Sequence, residues 1–159
     1  MKNKGFSLVE LIIVIAIMAI LAAAIAPALI RYIDKSRRSD DVAAAETINT
    51  ACQAALANED AYDEVQLVMK GLTGTGATTL ATAAVNSTSW TATNVTSGGT
   101  FLYEMDSSTG GGPAIKYKKG NASYWTVGVS TNGKPVVWLG TGSGGTQTEL
   151  QPTIDKFYK

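Results

Sequence analysis

The sequence predicts an α+β chain. A long N-terminal α-helix, membrane-spanning in its first half and amphipathic in its second, packs on a C-terminal antiparallel β-meander. Three observations carry this expectation. An apolar run extends from Phe6 to Ile30 with Glu10 as its only charge. An alanine-rich stretch free of glycine and proline follows from Arg31 to Ala57. Beyond residue 100, short β-branched and aromatic runs alternate with turn formers.

The apolar run comes first. About 17–25 apolar residues cross a bilayer as a helix, so Phe6–Ile30 is long enough. A carboxylate inside such a span costs about 2.5–3.5 kcal/mol near the bilayer centre and less near an edge. Glu10 therefore needs a partner, and no Lys, Arg or His lies between Phe6 and Ile30. A cut between Gly5 and Phe6 would create an α-amine about one helical turn from Glu10. The same amine on a neighbouring copy could pair with Glu10 across an apolar interface. The carboxylate would then fix register, because a copy one step out of place leaves a charge unpaired in hydrocarbon.

The residues Lys4-Gly5-Phe6-Ser7-Leu8-Val9-Glu10-Leu11 resemble the processing site of type IV prepilins and pseudopilins. The resemblance covers about the first fifth of the chain. It implies a membrane aspartic peptidase that cuts after Gly5 and methylates the new terminal Phe6. It also implies that Glu10 guides docking of subunits into a helical filament, and that an assembly platform with its ATPase supplies the work. Pro27 stands where these proteins commonly place a helix-weakening proline. The implied fold is the pilin fold.

Two plainer readings compete. Lys2 and Lys4, the apolar run and Ala22-Ala23-Ala24-Ile25-Ala26 imitate a secretory signal with a small-residue cleavage site. Against that, a carboxylate sits at the front of the apolar region and the run continues past the alanines. A plain single-pass anchor explains the length but gives Gly5, Phe6 and Glu10 no purpose. Orientation is contested by the charges. Arg31, Lys35, Arg37 and Arg38 outnumber Lys2 and Lys4, which by the positive-inside rule favours a cytoplasmic C-terminal side. The resemblance demands the reverse: residues 1–5 inside as a leader, residues 6–30 in lipid before assembly, and the rest outside.

Residues 31–57 continue the helix with one apolar stripe. Val42, Ala45, Ile48, Cys52, Ala55 and Leu56 recur at three- and four-residue steps. Pro27 removes one backbone hydrogen bond and disfavours helix at Ala26, so a kink or melted turn is expected there. Residues 58–159 form the head, beginning with a short helix at 58–72. The acids Glu59, Asp60, Asp63 and Glu64 match no calcium-loop spacing and suit a helix start. No metal or other cofactor is called for.

Residues 73–99 read as a connecting loop, uncharged and rich in threonine, with a short strand near Val85 to Val95. Asn86, Asn94 and Asn121 begin three-residue glycosylation patterns, which are frequent by chance in such a chain. Residues 100–139 read as a four-stranded antiparallel sheet from Thr100–Tyr103, Ala114–Lys118, Tyr124–Val129 and Pro135–Leu139. The turns are Ser107 to Pro113, Lys119-Gly120-Asn121 and Thr131-Asn132-Gly133, with Asn132-Gly133 the strongest hairpin signal. Trp125 and Trp138 are assigned to the core. In residues 140–159, Gly140 to Gly145 imitates a phosphate loop without its lysine-threonine ending. Pro152, Ile154 and Phe157 are candidates to pin the tail to the sheet.

Composition narrows function. The chain has 159 residues and thirteen basic against thirteen acidic groups; loss of Lys2 and Lys4 leaves the side chains two units acidic. No concentrated basic face signals a specific nucleic-acid partner. The single cysteine, Cys52, cannot form an intramolecular disulfide and reads as a buried small hydrophobe. With no histidine, no nucleophile elbow and no paired carboxylates in a cleft, a structural protein is expected rather than an enzyme. Three functions remain: a major type IV pilin of an extracellular fibre for adhesion or twitching motility, a pseudopilin of a type II secretion or competence apparatus, and a membrane-anchored binding domain that never polymerises.

Overall fold

The computed structural model describes residues 5–71, 76–84, 87–118, 121–141 and 147–159. Leader residues 1–4, Leu72, Asn86, the Lys119-Gly120 turn and the glycine-rich 142–146, all given expectations above, lie outside them. The chain divides into two compact units, Met1–Ser36 and Arg37–Lys159. One helix, α1 (Leu8–Ala55), contributes to both.

In the first unit no other described residue covers the apolar run of α1. Every described side chain from Phe6 to Ile30 is exposed, and this is the one helix among the described residues long and apolar enough to cross a membrane. Its start is fixed locally, because the Ser7 N–H donates to Glu10 Oε2 at 2.9 Å. A glutamate at the third helical position reaching back to the N-cap N–H is half of a capping box. α1 runs unbroken through Pro27. No turn is melted there in the isolated chain, a correction to one of the two outcomes expected of this proline.

In the second unit α1 buries Asp41, Ala45, Ile48, Asn49, Ala51, Cys52 and Ala55. The steps of three and four put these residues on one face. α2 (Glu59–Lys70) follows, with Asn58 as N-cap accepting from the Asp60 N–H, and Ala61 and Val65 turned inward. The sheet has five antiparallel strands: β1 (Thr78–Ala84), β2 (Thr91–Ala92), β3 (Tyr124–Val129), β4 (Pro135–Gly140) and β5 (Gln147–Gln151), in the order β2-β1-β3-β4-β5. α3 (Thr100–Thr109) stands between β2 and β3 in the chain and packs on α2. The α+β class is as expected; the membership of the sheet is not.

Thr100–Tyr103 is helical, a correction. Phe101, Leu102 and Met105 are buried at helical spacing, and Gly110 ends α3 in the left-handed conformation. Ala114–Lys118 joins no strand, a second correction. The N–H groups of Lys116 and Tyr117 instead donate to Asp41 Oδ1 and Oδ2 at 2.7 and 3.0 Å. The supposed loop 73–99 holds β1, which pairs on both sides. β1 carries mainly Ala and Thr, small residues whose alternation is faint, and a bulge at Leu80 blurs it further. β5 extends the sheet into the tail, residues 140–159, where no strand is expected from the sequence.

The β3–β4 hairpin forms at Asn132-Gly133. Ser130 N–H donates to Lys134 O, Gly133 N–H donates to Ser130 O, and Gly133 has φ +74°, which favours glycine. Trp125 is buried and donates from Nε1 to Pro113 O at 2.8 Å. Trp138 is only half-buried, a correction to its core assignment. It lies on the opposite face, over Gly128, where an added Cβ would come within 2.6 Å of its ring.

Candidate assembly site

Gly5, Phe6, Glu10 and Pro27 lie along one helix and its entry and are not gathered into a pocket. Gly5 and Phe6 precede α1 in no regular element, and Phe6 is 88% exposed. Glu10 sits in the first turn of α1, the positive end of its dipole, with one oxygen on the Ser7 N–H. A carboxylate offers about four lone-pair sites, so capacity for a further donor remains. Ser7 was not singled out from sequence, although Ser-x-x-Glu ahead of an apolar run is a capping signature. Pro27 lies seventeen residues on, about 26 Å along a helix rising about 1.5 Å per residue.

The second unit has its own polar anchor, also unforeseen. Asp41 is completely buried among the residues that fix 116–117. Burial raises its pKa above the ordinary carboxylate value; the two backbone N–H bonds oppose that rise, and Asp40 adds to it. One turn earlier, Arg38 donates to Phe157 O and to Tyr117 Oη, both at 3.0 Å. Its guanidinium lies 4.6 Å from the Tyr117 ring centroid and 5.2 Å from that of Phe157. Tyr158 packs edge-on against Tyr117 and Phe157 at 6.0 and 5.5 Å, and Tyr117 and Phe157 meet at a tilt at 5.6 Å. Burial pushes the Tyr158 hydroxyl up to about 12, with Asp41 adding to the rise. The tail is thus held by an arginine–aromatic clasp. Of the three pinning candidates, Phe157 belongs to this clasp, Ile154 packs half-buried on the core, and Pro152 is exposed.

The remaining candidates resolve locally. Glu64 accepts from the Thr96 N–H at 2.7 Å and from the Phe101 N–H at 3.2 Å, so it caps α3 from across the fold. Glu59 and Asp60 stand in the first turn of α2. Cys52 is buried, and burial pushes its thiol up to about 12, which keeps it protonated and unreactive. Asn94 spends its side chain on Thr79 O, whereas Asn121 is exposed with φ 53°.

A family model described as the prokaryotic N-terminal methylation motif matches residues 1–26. The type IV major pilin protein PilA of Myxococcus xanthus is 35% identical over 63 residues, which are 40% of this chain and 29% of that protein. Over residues 1–26 the chain is similar to proteins that carry this methylation motif. No solved structure matches. The matched motif spans Gly5, Phe6 and Glu10. The chain therefore combines an N-terminus similar to that methylation motif with an α+β head.

Proposed function

We propose that this chain is a structural subunit of a type IV pilus, its major pilin, polymerising through α1 into an extracellular filament for adhesion or twitching motility. The observation that carries the reading is Glu10, a lone carboxylate in an otherwise uncharged and wholly exposed apolar helix segment. Prepilin peptidase cuts between Gly5 and Phe6 and methylates the Phe6 amine. Residues 1–5 face the cytoplasm, against the local charge count, because the cleavage site must meet its peptidase. Glu10 then attracts the Phe6 amine of a neighbouring copy as apolar helix faces leave lipid for one another. That transfer gains little hydrophobic energy, so an assembly platform and ATPase must drive it. Pro27 lacks a backbone N–H and gives the packed helices a point of axial compliance.

A pseudopilin of a type II secretion or competence system shares this N-terminal chemistry. The uncharged, threonine-rich stretch after Gly71 suits a fibre surface and favours the pilin. Intact-mass and N-terminal analysis of the sheared extracellular fraction of native cells tests both. A chain beginning with methylated Phe6 and abundant in that fraction is expected. The same processed chain confined to the membrane would support the pseudopilin. An uncut Met1 terminus would leave only a membrane-anchored binding domain.

A further inference from the structure

Two ends of the second unit are complementary in charge and form, and we propose that they are the two halves of a head-to-tail contact between copies of this chain. The inference rests on the filament reading and names the surfaces by which heads meet.

The first surface lies past the end of α1. A groove of about 580 Å³ opens between α2 and the β3–β4 hairpin, lined by Leu56, Tyr62, Val65, Met69 and Val129 among others. Tyr62 at its edge is 48% exposed, and Leu67 on the same helix is 72% exposed. Glu59 and Asp63 stand exposed within a turn of Tyr62, outside the groove lining, and Asp60 is exposed on the same helix. Lys70 on the groove wall and Lys134 in the hairpin are the bases nearby.

The second surface lies beside the other end of the unit's stretch of α1. Phe157 is 45% exposed, although Tyr117 and Arg38 hold the other side of its ring. Lys156 and Lys159 flank it, and Lys116 and Lys118 stand exposed on the segment bound to Asp41. Arg37 adds to them, and the exposed acids here are Asp40 and Asp155. Asp41, which holds this end, and Leu56, which lines the groove, are fifteen residues apart, about 22 Å along the helix.

An apolar ring already immobilised by its neighbours loses little freedom on docking, and a charged rim of opposite sign sets its register. Phe157 of one copy enters the groove of the next, with Lys156 and Lys159 against Glu59 and Asp63. The two surfaces are different patches, so the contact is heterologous, and repeated without closure it propagates as a filament.

The test uses the full chain in its native cells, carrying Asp63→Cys and Lys156→Cys together or singly. Cys52 is buried and does not interfere. After mild oxidation, the double variant should give a ladder of covalent multimers from sheared filaments, and each single variant none. Filaments recovered at wild-type yield without a ladder would overturn the contact while leaving the filament reading intact. Absence of filaments from unaltered cells would overturn both. In parallel, Lys156→Glu with Lys159→Glu should lower filament yield severalfold, and adding Glu59→Lys and Asp63→Lys should restore it. An unchanged yield from the first pair would also overturn the proposal.

Discussion

Ile25 and Ile48 belong to the same helix, yet the first is 60% exposed and the second fully buried. Their neighbourhoods differ in the same way. Around Ile25 no other described residue covers the apolar side chains; around Ile48 the chain closes a core that includes Trp125, Phe101 and Leu80. The carboxylates repeat the contrast. Among the described residues Glu10 accepts one bond, from a backbone N–H in its own turn. Asp41 has two, to residues 75 and 76 positions away. A single secondary structure thus serves two kinds of stability. The first unit holds an apolar surface that no other described residue covers, and the second carries its own cover.

The largest effect that follows is on assembly. Glu10→Ala should leave cleavage after Gly5 intact and abolish incorporation into sheared filaments, with the melting temperature of the head unchanged. Normal filament yield from this variant would remove the docking role and leave Glu10 a helix cap. Trp125→Ala tests the other side of the contrast. Deleting a fully buried indole costs about 3–5 kcal/mol, readable as a lowered urea midpoint of the purified chain in detergent. Processing at Phe6 should be untouched. A coupled loss of processing would show that the two units are not energetically separate.

The same division explains what the sequence made legible. The first unit was readable because its signals are local: an uninterrupted apolar run, one misplaced carboxylate and a processing motif, all within thirty residues. The α1 face of Ala45, Ile48, Cys52 and Ala55 was readable from its period. The sheet was half-readable. β3, β4 and their Asn-Gly turn announce themselves through Val, Trp and Tyr, whereas β1 is built of Thr and Ala and is defined by its neighbours on both sides. Thr100–Tyr103 carries strand-like residues, but the spacing of Phe101, Leu102 and Met105 and the glycines at its ends decide for helix. Ala114–Lys118 joins no strand because the N–H groups of Lys116 and Tyr117 go to a side chain, and no local pattern reports a carboxylate 75 positions away. The Arg38 clasp was hidden for the same reason.

A smaller effect probes the outer face of the sheet. A Cβ at Gly128 would meet Thr78 O at 2.2 Å and the Trp138 ring at 2.6 Å. Gly128→Ala should therefore destabilise the head by about 1–3 kcal/mol, the usual penalty of overpacking. Pairing it with Trp138→Leu should recover part of that loss. No recovery would place the clash on the Thr78 backbone alone.

The smallest effect is the most diagnostic of how the head holds its own charge. Two forces act on Asp41: burial favours the neutral acid, and the N–H groups of Lys116 and Tyr117 favour the carboxylate. Burial is the larger, so the folded pKa lies above the unfolded value of 3.8. The native state then binds more protons than the unfolded state between those two values. Asp41's contribution to stability is complete below 3.8 and falls as pH rises through its raised folded value. Asp41→Asn carries no titration, so the urea midpoint of wild type relative to this variant should decline across that window, with Lys116 opposing the shift and Asp40 assisting it. A relative midpoint that rises instead would mean that the two N–H bonds outweigh burial. The aspartate would then be a net stabilising anchor in its charged form, and the second unit would rest on an internal ion held by the two N–H groups of residues 116 and 117.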